Sequence, residues 1–563
     1  MAIKISELPL EGNVFDGDEL VALVQDPRSS AVTSRASLSS IAGYLSGAVS
    51  AGGVQPLVSP NKINFFNCDQ CFNNDVTVLH DLSGGGKLII GDDIIVNGSP
   101  TNVSVAGGQG HSIGGTYNTI GGGEQNQIAL TTRSRSFIGG GNLNVIQGNS
   151  SFIGGGGTNV SDGNAYNTIG GGNSNCLTCG GYQFVGGGLC NHSKGDHSFV
   201  GGGSNNMICD VTSGNTSVIV GGLSSRVFGS YSATVGGRCN SVNGEYAFIG
   251  GGENNQARKD YDIVVGGLNN LACGLSSFVG GGDGNSVTNL DGAIVGGRSN
   301  CASGSRSFIG GGENNTVENG CSVVTGGSNN NASANCGFIG GGVSNTVAST
   351  LGTVVAGQNN SICSNSNHGF VGGGTANSVA GHCSVVVGGF CNCVATTYSA
   401  IGGGQSNYVL GNANYSSVVG GRSNYIQSNA SDSFIGGGCG NYSTVCYITI
   451  GGGEGHCVSN THGFVGGGKK NCILGTGCFS SIVGGENNYI HCGGQCYGFI
   501  AGGKCNQVLH CGSSVIGSDV DSVGEDMLHA KCLYLSAGAL PTSDPGVSGV
   551  VWRCGTTLRI SVG

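Results

Sequence analysis

The chain has 563 residues, of which 115 are glycine, 7 are proline and only 9% are charged, with a formal net charge of −10. That length exceeds one compact domain, the glycines lack the every-third spacing of collagen, and low charge with moderate hydrophobicity excludes a charge-driven disordered chain. The 21 basic residues form no patch with interleaved aromatics, which argues against a nucleic-acid partner, and no apolar run of about 18 residues marks a membrane helix.

Residues 1–46 differ from the rest. Glu19 to Gln25 (ELVALVQ) reads as a strand and Ser37 to Leu45 as a short serine-capped helix. The opening residues have no long apolar stretch, so no secretory signal is expected. Residues 47–60 are small and flexible and read as a linker. Residues 61–104 contain KINFFN, VTVLHD and KLIIGDDIIVNG, which are β-rich but outside any repeat. We read 47–104 as linker and β transition, starting a β-stack and capping its lower end.

A repeat fills residues 105–517. Phe248, Phe278, Phe308 and Phe338 recur at a fixed interval, each opening F-[IV]-G-G-G, with echoes such as IVVGG and AIVGG midway. Seven positions after each opening stands an asparagine: Asn255, Asn270, Asn285, Asn300, Asn315, Asn330, Asn345 and Asn360. The unit is therefore half the Phe-to-Phe interval, about 15 residues, in two alternating flavours, which signals one stacked supersecondary unit. In Ser307 to Cys321, Ser307-Phe308-Ile309 and Thr316-Val317 read as strands, Gly310-Gly311-Gly312 and Asn319-Gly320 as turns, and Asn315 as a turn residue that tolerates left-handed backbone.

The expected fold class is all-β: a repetitive parallel β-roll or β-solenoid of about 26 coils. The Asn column continues from Asn126 to Asn506, with Ser225 and His456 replacing it once each. It reads either as a ladder of shared amide hydrogen bonds or as a set of local turns. Alternation along the strand points the Ile309 and Val317 columns inward. It points Phe248, Phe278, Phe308, Phe338, Phe370, Phe434, Phe464 and Phe499 outward. A strand apolar on both faces asks for a cover, and the simplest is another copy, three around an axis placing three Phe rings in one layer. A single solenoid with coils of twice the length gives the same alternation.

Residues 518–563 break the repeat. Met527 to Leu535 reads as a last capping strand, and Val550-Val551-Trp552 with Thr557 to Ile560 as a hairpin. Tyr534, Trp552 and Arg553 are candidate tip contacts, because exposed aromatics and arginine dominate recognition surfaces; the alternative is that Trp552 packs the hairpin.

Three resemblances bear on function. The leader IKISELP…G-x-[ED]-L-V…VQ, over residues 1–46, resembles the N-terminus of tailed-phage fibre and virion structural proteins, where it attaches the fibre to the particle. Units such as YSATVGGRCNSVNG (231–244) and RSFIGGGENNTVENG (306–320) resemble the head repeat of trimeric autotransporter adhesins, a trimeric left-handed parallel β-roll. They depart from it in using Asn where that family often has Ala, and in having a slightly longer unit. The ending LPTSDPGVSGVVW…GTTLRIS resembles the C-terminus of marine and cyanobacterial phage structural proteins.

Catalytic and metal chemistry is sparse. Cys68-x-x-Cys71, near His80, and Cys176-x-x-Cys179 each offer half of a zinc site, which needs four ligands. The His-Cys dipeptides point to opposite strand faces, and no glycine string has phosphate-loop spacing. Glu253 and Glu313 are expected four coils apart, about 19 Å at roughly 4.8 Å per coil, too far for glycosidase cooperation. Asp260 and Asp262 read as solvated turn residues. Of the 26 cysteines, Cys321/Cys336, Cys457/Cys472 and Cys496/Cys511 sit one coil apart. A bridge is open on distance, the alternative being free cysteine as a small buried hydrophobe. No catalytic, cofactor or metal site is expected.

Together these features imply a non-enzymatic homotrimeric virion fibre, made in the host cytoplasm. Its N-terminus would meet other virion proteins, and its distal part a host cell-surface receptor or glycan, without membrane insertion. The alternatives are a polysaccharide-cleaving tailspike, a purely mechanical or decorative fibre and, third, a bacterial surface adhesin.

Overall fold

The computed structural model describes residues 88–90, 94–97, 103–129, 134–209, 216–491, 493–494 and 497–531. It also describes 540–543, 545–548, 551–554 and 557–561. The strand and helix expected in residues 1–46, the linker, Cys68, Cys71, His80 and Tyr534 lie outside these residues.

Among the described residues the chain is all-β, a parallel β-solenoid. Two sheets of 28 strands each run the length of the stack, two more coils than the Asn column suggested. At about 4.8 Å per strand the shaft is roughly 130 Å long. Both sheets are open ladders. In one, Ser104–Val105 pairs with Thr119–Ile120 at the start, and Ser514–Ile516 with Leu528–Ala530 at the end. In the other, Ile94–Asn97 pairs in parallel with His111–Gly114, and Leu88–Ile90 folds back on it antiparallel. Of the strand expected over residues 527–535, Leu528–Ala530 is present and 532–535 lie outside the described residues, and the expected hairpin is present as Val551–Cys554 against Thr557–Ile560.

Register settles the coil length. Phe308 lies beside Val323 and Thr316 beside Asn331, so each residue meets its counterpart in the very next unit. The double-length coil is thus excluded, and two flavours of the shorter coil alternate. Longer steps place their extra residues in the second turn: between Ile362 and Val379, which are register partners, Asn365 and His368 take positive φ.

We number the coil Ser307–Cys321 from 1 to 15. Its two strands, Phe308–Ile309 and Thr316–Val317, point position 3 (Ile309) and position 11 (Val317) inward, both with no exposed surface. A two-residue strand leaves room for one inward side chain. The core is therefore one Ile/Val column facing one Val/Ala column, flanked by polar columns at positions 1 (Ser307) and 9 (Asn315), both buried. Position 6, Gly312, must be glycine for two reasons. Its φ is +90°, and a Cβ there would sit 2.0 Å from the Gly327 carbonyl oxygen of the next coil.

The left-handed residue of the first turn is Asn314 (φ 54), not Asn315, and the second turn uses Cys321 (φ 58). The position-9 asparagine is therefore not a turn residue held by its φ preference. Its side chain lies inside and bonds in both ways the sequence left open. Asn315 Nδ2 donates to Gly311 O of its own turn (2.9 Å) and to Gly327 O of the next (2.9 Å). Its Oδ1 accepts the Asn330 N–H (3.0 Å), while its own N–H donates to Asn300 Oδ1 (2.9 Å). The same link runs from His111, whose Nδ1 accepts the Asn126 N–H, to Asn506, whose Oδ1 accepts the Val520 N–H. His111 is a rung that the sequence pattern missed.

At Ser225 the column has a gap: its N–H reaches Asn206 Oδ1, but its own hydroxyl is buried without a partner. A serine is too short to do both jobs. Replacing Asn315 with Leu is expected to strand the Gly311 carbonyl and the Asn330 N–H, each costing about 1–3 kcal/mol, while the Gly327 carbonyl keeps the Glu313 N–H. Because solenoid stability is local, this should appear as faster amide exchange confined to the coils around 300–330. Ser225→Asn should restore the rung and slow exchange there, by about 1 kcal/mol.

Candidate interaction surface

The interior is closed, so any function lies on the outer faces and corners. Position 2 faces outward beside position 4. In Phe coils these are Phe308 and Gly310; in the alternate coils they are residues such as Ala293 and Val295. Bulk shifts from one to the other: the Phe308 ring lies over its own Gly310, where an added Cβ would be 3.5 Å from Cε1. All eight phenylalanines expected on this face are there, half-buried to exposed. Phe308 keeps 37% of its surface and Val295 50%.

Phe137, Phe152, Phe184 and Phe199 extend the strip, with Phe137 stacked on Phe152 and Phe184 on Phe199. About a dozen Phe rings of roughly 150–250 Å² each, eight of them over a third exposed and four half-buried, together with half-exposed valines, leave on the order of 1,000 Å² of apolar surface. A soluble monomer rarely leaves more than a few hundred square ångströms in one patch.

Position 15 makes an aromatic corner that the sequence reading missed, although the one-coil spacing of Tyr231, Tyr246 and Tyr261 signals it. Their rings stack at 5.1 and 5.2 Å. Tyr447, His462, Phe479 and Tyr497 form a second stack. The tyrosines and Phe479 are exposed, and Tyr231, Tyr246, Tyr261, Tyr447, His462 and Phe479 take left-handed backbone, so stacking offsets the strain that a bulky residue meets there. Position 7 carries charge rungs: Arg238 with Glu253, Arg298 with Glu313, Lys469 with Glu454 and Lys504 with Glu486. Being exposed, each contributes little.

Glu253 and Glu313 are four rungs apart, as expected, with Asp283 midway and Arg298 between Asp283 and Glu313. They lie on a flat corner. The best-formed hollow, about 580 Å³, is shallow and polar and is lined by Arg226, Cys239, Ser241, Asn254, Gln256 and Asn269. Among the described residues no His/Cys/Asp/Glu cluster could hold a metal, and Cys176 and Cys179 gather no further ligands.

Two expectations are corrected. The described cysteines from Cys176 to Cys511 are free thiols, but none is fully buried. Cys321 and Cys336 are exposed on neighbouring corners, and Cys457 and Cys472 are register partners on an outer face. Burial still raises the thiol values of Cys457 and Cys472. Cys496 lies outside the described residues. Asp262 is not solvated: it occupies the inward position 1 and is fully buried. Serine is common in that column. Ser322, for example, donates to Ala334 O (2.6 Å) and accepts the Gly337 N–H (2.9 Å). Asp262 instead accepts N–H groups from Lys259 (2.7 Å) and Ser277 (3.0 Å). Burial raises its carboxyl value, opposed by those bonds. Asp260 remains at the surface, accepting the Glu245 N–H.

Trp552 pairs in register with Arg559, and Arg553 with Leu558, in the terminal hairpin. No family model matches the chain, and no curated protein matches it significantly.

Two buried titratable groups make opposite pH predictions. His456 fills an Asn rung: its Nδ1 accepts the Asn471 N–H (3.0 Å), and its other nitrogen turns toward the Gly468 and Gly452 carbonyls without reaching hydrogen-bond geometry. Burial lowers its value, so the unfolded state binds the proton first. Stability is therefore lost as pH falls below about 6.5. His456→Asn should abolish the acid-induced rise in amide exchange around 441–471. Asp262, with a raised value, favours the neutral form when folded, so its stability is lost as pH rises above about 4. Asp262→Ser should raise the melting temperature at pH 7 and change it least near pH 3.

Proposed function

We propose that this chain is a non-enzymatic structural fibre of a tailed-phage virion, held to the particle by residues 1–46 and assembled as a homotrimer. The observation that carries the reading is the apolar strip. A long shaft whose interior is complete leaves one face with far more apolar surface than a solitary soluble chain keeps. That face suits a bundle of copies. The leader and ending described above supply the phage assignment, and the shaft supplies reach: a stiff rod sets a distal end well away from its attachment point. Host contact falls to the C-terminal part, where Trp552 and Arg553 lie on the terminal hairpin.

The carboxylates favour a fibre over a polysaccharide-cleaving spike. Glu253 and Glu313 are each tied to an arginine on an exposed corner, whereas glycosidase pairs flank a bond in a water-controlled site.

The test is electron microscopy of purified particles labelled with antibodies to residues 1–46 and to residues 518–563. The expected result is a proximal label for the first and a distal label for the second, with no soluble glycan released from host envelopes by the purified protein. Absence of the chain from purified particles would overturn the virion assignment. Glycan release lost on substituting Glu253, Asp283 or Glu313 would overturn the non-enzymatic one.

A further inference from the structure

The outward strip is not a uniform repeat. Between Phe248 and Phe370 position 2 alternates large and small: Phe248, Ile263, Phe278, Ala293, Phe308, Val323, Phe338, Thr353, Phe370. Beyond that stretch the alternation is broken in distinct ways. Phe137 and Phe152 are neighbours, as are Phe184 and Phe199. Val218 and Ala233 form a small pair, and Val385, Ala400 and Ser417 form a run of three. Inside, position 3 stays Ile or Val through almost every coil, while position 11 varies in size from Ser161 and Ala257 to Leu177 and Ile362.

We infer that this face is the contact between copies of the chain, and that its uneven pattern fixes the copies parallel and in axial register. The inference rests on the homotrimer reading and specifies how its members meet. Three features of the strip point to another copy as the occupant. The strip runs the length of the shaft, so its partner must be equally long. Its layers recur every two coils, about 9.6 Å at roughly 4.8 Å per coil, and a second copy has that same rise. Its area, on the order of 1,000 Å², exceeds the roughly 800 Å² per partner typical of a stable interface.

Register follows from packing. With copies parallel and unstaggered, as closed rotational symmetry requires, every Phe layer meets Phe layers and every Val layer meets Val layers. A one-coil slip would set Phe layers against Val layers. A two-coil slip would be harmless in the alternating middle. It would still set the Phe137/Phe152 and Phe184/Phe199 pairs partly against small residues, and would misplace the gap from Val385 to Ser417. Such mismatches leave cavities or overlaps. The breaks in alternation thus act against slipped assemblies, in which a regular strip would allow many near-equal registers.

Site-directed disulfide trapping tests this. Ala293 and Val295 share one layer, while Val323 and Thr325 share the layer two coils on. A chain carrying A293C and V295C is co-expressed with a differently tagged copy carrying the same pair, or with one carrying V323C and T325C. Mixed assemblies are purified through both tags and oxidised with copper–phenanthroline, which takes the two electrons and two protons lost as each S–S bond forms. Linked peptides are identified by mass spectrometry, with the native chain as control for its own cysteines.

The expected result is linkage between copies within the 293/295 layer and none between 293/295 and 323/325. Linkage between the two layers in assemblies of the expected mass would overturn the register while leaving the homotrimer reading intact. Oligomers with no linkage through either pair would overturn the assignment of this face. No mixed assemblies, with each chain monomeric by native mass spectrometry, would overturn the homotrimer reading itself.

Discussion

The structure depends on one repeated side-chain amide. Each coil has two strands of two residues, too little for strand hydrogen bonds alone to order its turns. Turn-to-turn backbone bonds, such as the Glu313 N–H to Gly327 O, add to these, and the position-9 asparagine completes the set. Asn315 holds the carbonyls of two successive glycine turns and receives the backbone N–H of the next asparagine. A buried polar group left unpaired would be costly. Here the donors and acceptors of the tight turn are satisfied by the same residue one coil away. The glycine columns follow from this arrangement: Gly312 must let the Gly327 carbonyl approach to where a Cβ would stand.

That architecture was largely legible in the sequence, because stacking turns period into position. The spacing of Phe308 and Asn315 set strand positions and the inward columns, and left the choice between one unit and two per coil to the strand register. The detail it hid was which turn residue is left-handed. Asn314 and Asn315 both suit such a conformation by type, and only the hydrogen bonds show that Asn315 is inside. Asp262 was misplaced for a related reason. Next to Asp260 and Tyr261 it looks like a solvated turn, and only its alignment with Ser307 and Ser322 reveals the inward column. The cysteines went the other way: chemically they suit a core, but the core columns hold mainly Ile, Val and Ala, and the described cysteines from Cys176 to Cys511 lie at outer positions. The candidate site was half legible. The Phe strip was visible, while its compensation by glycine and valine at position 4 and the stacked corners such as Tyr231–Tyr246–Tyr261 needed the register to be seen.

An interior this complete changes what the exterior can mean. Nothing inside the coil requires Phe rather than Thr at position 2, since Thr353 serves there equally well. The charge rungs and aromatic corners are local additions at exposed turns, varying from block to block. The Phe/Val strip persists from one end of the shaft to the other, so it answers to a constraint acting along that whole length. The proposed bundle of identical shafts would be such a constraint and would link the repeat to a fibre.

The most direct test of that account is the molar mass of the purified full chain by light scattering across a range of concentrations. The account predicts three times 55.7 kDa, held on dilution. A stable monomer with its phenylalanine strip open to water would contradict it.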